Sequence, residues 1–201
     1  AENPPKKYQD IHPLDLWCPL PHRDALWTAC RDVVELWVCR GVNVFRVDNP
    51  HTKPLPFWRW LLDDIWSRHP EVVFLAEAFT RPSMMYELAR LGFSQGYTYF
   101  TWRSSASELR TYVEELRDGP EAGWFRPNFW PATPDILSGP LRRGSRAAFE
   151  ARMVAASLLS PSYGVYSGYE LCENVPQSPD NEEFFDRSEE HTSELQSPCN
   201  L

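Results

Sequence analysis

Val42-Asn43-Val44-Phe45-Arg46-Val47-Asp48-Asn49-Pro50-His51 and Val72-Val73-Phe74-Leu75-Ala76-Glu77-Ala78-Phe79 together decide the fold. Each is a run of β-forming apolar residues that closes on one carboxylate, Asp48 in the first and Glu77 in the second. Strand side chains alternate with a period of two, so Arg46 and Asp48 share a face. An arginine two residues before an aspartate is well placed to orient that carboxylate and keep it ionised. Carboxylates at the C-terminal ends of successive parallel strands point to the mouth of a sugar-cleaving barrel. Neighbouring parallel strands lie about 4.8 Å apart. That suits the roughly 5 to 5.5 Å between nucleophile and acid in a retaining glycosidase. The same spacing also fits structural strand-end residues, or metal ligands grouped with His51.

Helical and strand periods alternate outward from these runs. A helix is predicted over Asp24–Arg40, where Leu26, Cys30, Val33, Val34 and Trp37 recur at helical spacing and Gly41 follows as a stop. Pro54 and Pro56 introduce a second helix through Trp66, and a third runs from Pro82 to Leu91 before Gly92. Tyr97–Thr101 is predicted as a third strand, Ala106–Leu116 as a helix and Asn128–Trp130 as a fourth strand. Arg146–Leu159 then reads as a helix and Gly164–Ser167 as a last strand. β-α repetition of this kind calls for a parallel sheet in an α/β fold. Five strands are visible, whereas a closed (β/α)8 TIM barrel takes roughly 250 residues. Residues 1–186 are therefore expected to be the C-terminal part of a catalytic barrel. Residues 187–201 have no useful apolar period and read as a translated adapter, a non-native tail.

The formal charge of −8 and the scattered Lys and Arg exclude a nucleic-acid surface. No stretch approaches the about 18 apolar residues of a membrane span, and no signal peptide opens the chain. Five cysteines without a C-x-x-C pair fit neither a closed disulfide framework nor a metal knuckle. Reduced thiols in a cytoplasmic protein are the expectation. Aromatic residues make up 14% of the chain, enough to fill a core and still line a carbohydrate cleft.

Two further groups carry possible chemistry. Asp135, in Thr133-Pro134-Asp135 after the fourth predicted strand, is placed either to grip sugar hydroxyls or simply to cap a turn. Asn3, Lys6 and Tyr8, in Asn3-Pro4-Pro5-Lys6-Lys7-Tyr8-Gln9-Asp10, could hold a phosphate or form a solvated segment. No phosphate-binding glycine motif, zinc-protease motif or serine-hydrolase motif is present.

Five runs together resemble one family closely: 45–53, 74–82, 97–103, 126–137 and 160–176. They include F-R-V-D-N-P-H-T-K-P, F-L-A-E-A-F-T-R-P, Y-T-Y-F-T-W-R and G-V-Y-S-G-Y-E-L-C-E-N, all longer than generic amylase patterns. The family is that of the α-1,4-glucan:maltose-1-phosphate maltosyltransferases, in the α-amylase superfamily. The resemblance implies Asp48 as nucleophile, Glu77 as general acid/base, Asp135 as the third carboxylate and Arg46 as the arginine beside the nucleophile. It also implies that Asn3, Lys6, Tyr8 and Asn49 hold the donor phosphate.

The substrates it implies are α-maltose 1-phosphate and an α-1,4-glucan acceptor, with no cofactor, no metal and no membrane, and it suggests a homodimer. The sequence departs from the general α-amylases in having Pro134 rather than His before the third Asp. It departs from many maltosyltransferases in having Ala132 rather than Asn. The competing readings are another retaining α-glucan hydrolase or glucanotransferase, and an inactive barrel fragment binding glucan through Trp58, Trp102 or Trp130.

Overall fold

A computed structural model describes residues 14–185. The chain divides into two compact units, residues 1–96 and 97–201. Asn3, Lys6, Tyr8 and the tail from 187 onward lie outside the described residues.

The first unit alternates helix and strand: α1 (His22–Cys39), β1 (Val44–Asp48), α2 (Leu55–Arg68), β2 (Val73–Glu77), α3 (Pro82–Leu91) and β3 (Gln95–Tyr97), whose last residue opens the second unit. Both strand pairings are parallel. Val44 to Asp48 lie opposite Val73 to Glu77 residue for residue, and Leu75 and Ala76 pair with Gln95 and Gly96. Helices cover the inner strand because it is apolar on both faces. Phe57, Leu61, Leu62 and Ile65 of α2 are buried against Phe74 and Ala76 of β2. On α1 the stripe packed against the core is the half-buried Leu26, Cys30, Val34 and Val38, while Val33 and Trp37 face outward. The sequence stripe had the right period but included two residues on its outer margin. Gly92 ends α3 at φ +120, and a Cβ there would lie 2.3 Å from the Trp66 ring, so both backbone and packing demand glycine.

The second unit holds α4 (Ala106–Asp118), β4 (Pro127–Phe129), α5 (Gly139–Arg142), α6 (Arg146–Leu159) and β5 (Ser162–Tyr163), with β4 and β5 parallel. Its cores are Phe100, Tyr112, Phe129 and Ala156 in one cluster, and Leu137, Leu141, Phe149, Tyr166 and Tyr169 among others in a second. Ser105 caps α4 in a capping box with Glu108, as a Ser three residues before a Glu allows.

Two strand expectations are corrected. Tyr97–Thr101 is not a strand: β3 ends at Tyr97, and Tyr99–Trp102 is a 3₁₀ turn. Phe100 and Thr101 are both buried in that turn. The last strand is Ser162–Tyr163 rather than Gly164–Ser167. Gly164 still donates its N–H to the Phe129 carbonyl at 2.9 Å, but the Trp130 ring lies 2.1 Å from where its Cβ would stand, and the pairing ends there.

Candidate active site

In-register pairing sets Asp48 directly opposite Glu77 at the C-terminal ends of β1 and β2. Arg46 joins the two. Its Nη1 lies 3.4 Å from Asp48 Oδ2 and its Nη2 3.1 Å from Glu77 Oε1. Period-two alternation puts Arg46 on the face of Asp48, and residue-for-residue pairing puts Glu77 on that face too.

The two carboxylates differ sharply in exposure. The Asp48 side chain is 67% exposed, whereas that of Glu77 is 6% exposed. One acid is open to an incoming group and the other is shielded and clamped, the asymmetry by which two carboxyls take separate roles.

Immediately after β1, Asn49 adopts a left-handed conformation, φ 44 and ψ 49. This costs least for Asn and Gly among the residue types. The turn aims the Asn49 N–H back at Glu77, where it meets the backbone carbonyl at 3.1 Å and Oε2 at 3.4 Å. Glu77 is thus approached by Arg46 on one oxygen and by Asn49 on the other. Pro50–Thr52 then form a 3₁₀ turn, pinned by Thr52 Oγ1 donating to the Asn49 carbonyl at 2.8 Å and Trp58 Nε1 donating to the Pro50 carbonyl at 2.8 Å. His51 sits on this turn. Burial disfavours its imidazolium and lowers its pKa, with the Asp48 charge pulling the other way. Among the described residues no group of three or more His, Cys, Asp and Glu stands close enough to hold a metal ion.

Asp135 belongs to the second unit and lies beyond the end of β4. Thr133 and Ile136 exchange backbone hydrogen bonds at 3.2 and 3.1 Å, which makes half-buried Pro134 and exposed Asp135 the corner of a tight turn. Proline at the first corner position fits such a turn.

Of the three tryptophans offered for glucan contact, Trp58 is a core residue, 7% exposed, with its indole N–H spent on Pro50. Trp102 and Trp130 are half-buried. Trp130 packs on Tyr97 at 4.9 Å between ring centroids, and Trp102 donates its indole N–H to Glu182. Sequence reading missed the backbone N–H of Asn49 and the part played by Glu182. The first had a signal, an asparagine before proline at a strand end; the second had none. Among the described residues Cys18, Cys30, Cys39 and Cys172 are free thiols, and no helix is long and apolar enough to cross a membrane.

No family model matches the chain. Curated relatives do. The chain is 57% identical to an α-1,4-glucan:maltose-1-phosphate maltosyltransferase of Burkholderia pseudomallei (strain K96243), over 92% of its own length and 16% of the relative's. It is 52% identical to the enzyme so named from Methylacidiphilum infernorum, over 92% of the chain and 28% of the relative. A third, from Pseudomonas aeruginosa, is 53% identical over 92% and 28%. The chain therefore spans less than a third of these relatives.

Among solved structures it is similar to an α-amylase from Geobacillus thermoleovorans complexed with acarbose. The TM-score is 0.65 at 16% identity, covering 82% of this chain and 41% of that one. It is also similar to a cyclic α-maltosyl-(1→6)-maltose hydrolase from Arthrobacter globiformis, with a TM-score of 0.56 at 20% identity, covering 72% and 35%. At such identities these likenesses speak to fold alone: an α/β chain with the parallel strands of a partial (β/α)8 barrel.

Proposed function

We propose that this chain, which by sequence belongs with the α-1,4-glucan:maltose-1-phosphate maltosyltransferases of the α-amylase superfamily, carries the reacting carboxylates of such an enzyme. Residues 1–186 are then the C-terminal part of its catalytic barrel, and 187–201 are foreign to it. The reaction is transfer of maltosyl units from α-maltose 1-phosphate to the non-reducing end of an α-1,4-glucan, with release of phosphate. The observation that supports this best is the in-register pair Asp48 and Glu77, bridged by Arg46.

In the first step the exposed Asp48 carboxylate attacks the anomeric carbon and forms a β-maltosyl ester as the bond to phosphate breaks. Phosphate leaves readily as an anion, so Glu77 has little protonating to do. In the second step Glu77 takes the proton from the acceptor 4-hydroxyl, which attacks the ester carbon and frees Asp48. Two inversions give net retention. Arg46 orients both carboxylates throughout. Asp135 takes the third-carboxylate role, holding ring hydroxyls more strongly as the sugar flattens. That assignment rests on its motif, as do those of Asn3, Lys6, Tyr8 and Asn49 to the donor phosphate. On the same reading the enzyme is cytoplasmic and pairs as a homodimer, which sedimentation of the complete protein checks.

Phosphate release from α-maltose 1-phosphate, with and without maltohexaose, is the test. In a complete barrel, release should be stimulated by acceptor and abolished by Asp48→Asn without loss of fold. Cleavage of unphosphorylated glucan with no phosphate release would instead identify a retaining hydrolase or glucanotransferase.

A further inference from the structure

Glu77 lies within reach of two groups from β1 and the turn behind it. One is the Arg46 guanidinium, placed by strand register. The other is the Asn49 N–H, which belongs to the turn and meets Glu77 at its backbone carbonyl and at Oε2. Register fixes the first, but only the turn fixes the second.

The turn is held at two points. Thr52, an exposed residue, donates its hydroxyl to the Asn49 carbonyl at 2.8 Å. From the first turn of α2, Trp58 donates its indole N–H to the carbonyl of buried Pro50, also at 2.8 Å. The Trp58 ring is 7% exposed and packs on aromatic neighbours, with Phe57 at 5.0 Å and Phe93 edge-on at 5.3 Å between ring centroids. A ring locked in a core holds its N–H in one direction, and a buried indole N–H needs an acceptor. Here the acceptor is the residue next to Asn49, whose own N–H meets Glu77.

We infer that Trp58 is a positioning residue for Glu77: through Pro50 it holds the Asn49 N–H against Glu77, and so fixes the carboxylate that takes the acceptor proton. The role of Glu77 rests on the maltosyl-transfer reading; the connection from Trp58 through Pro50 and Asn49 to Glu77 does not. Asp48 stands ahead of the turn, where pairing with β2 sets it. Loss of the indole donor therefore falls on one step. Ester formation depends on Asp48 and on a phosphate that leaves readily. Ester breakdown depends on Glu77, which accepts the 4-hydroxyl proton as that oxygen bonds to the anomeric carbon and the bond to Asp48 breaks.

The test uses the complete barrel and follows the two steps separately. Rapid-quench measurement of the first equivalent of phosphate reports ester formation from α-maltose 1-phosphate. Loss of the maltosyl adduct after maltohexaose is added, read by mass spectrometry, reports ester breakdown. Trp58→Phe keeps a ring in the core and removes the donor. It should release the first phosphate within about twofold of the parent rate and lose its adduct about tenfold more slowly, the effect of one hydrogen bond. Melting temperature separates lost positioning from lost fold.

Adduct loss within about twofold of the parent, or equal slowing of both steps, would overturn the inference. Should Trp58→Phe not fold, benzothienylalanine at position 58 takes its place, because it keeps the fused ring and lacks the N–H; the same outcomes then decide. Failure of the maltosyl-transfer reading is distinct, since it appears as absent phosphate release from the unsubstituted enzyme.

Discussion

Arg46 reaches two carboxylates from one guanidinium, at 3.4 and 3.1 Å, its planar fork giving each a separate nitrogen. A lysine ammonium would have to serve both from a single nitrogen on a flexible stem, without the fixed geometry of the fork. Arg46→Lys is therefore expected to cut maltosyl transfer about a hundredfold, in the range seen when one charge-stabilising donor is lost. The loss should fall on kcat for phosphate release, with the fold intact by circular dichroism. At this scale much of the site was legible. A strand that ends in a carboxylate announces itself by composition, and Arg46 follows from the period of two. Trp58 shows the limit: nothing in its sequence surroundings separates a core indole from one facing sugar. The exposure of a ring depends on what packs over it, here Phe57 and Phe93.

Elements were legible wherever local signals closed them. Pro82 and Gly92 bound α3, and the predicted limits are the observed ones. The capping box of α4 is another local signal with a measurable weight. Ser105→Ala should cost about 1 kcal/mol, read as a shift in urea midpoint with an unchanged slope. The misread strand at Tyr97–Thr101 failed for a non-local reason. Thr98 and Thr101 donate their hydroxyls to the carbonyls of Asn128 and Trp130, at 3.1 and 2.7 Å. Partners that far along the chain leave no trace in the Tyr-Thr-Tyr-Phe-Thr pattern, which on propensity alone reads as strand.

The molecule as a whole carries an excess of acid, and part of it is fastened into an ion-pair network. Glu35 of α1 lies 2.9 Å from His69 Nε2 and 2.7 Å from Arg68 Nη1, and Arg68 also pairs with Asp64. The hydrogen bond from His69, and then the Arg68 charge, hold the Glu35 carboxyl below its usual value of 4.5. Its folded pKa is the lower one, so acid protonates the unfolded chain first. The stabilisation is complete above about 4.5 and is lost as pH falls through the depressed folded value. Melting temperature should be level near neutrality and decline below about pH 4.5, with a shallower decline in Glu35→Gln; an unchanged decline would remove Glu35 from the network's account.

The residue-for-residue pairing of β1 with β2 bears on how such a sequence can drift. Phe45 and Val47 can exchange for other apolar residues and leave Asp48 where it is, because the pairing counts positions and not identities. Removing either one would swing Asp48 to the opposite side of the sheet and take it out of reach of Arg46's partner Glu77. At Phe45 and Val47 the gene can be misspelled, but it cannot be miscounted.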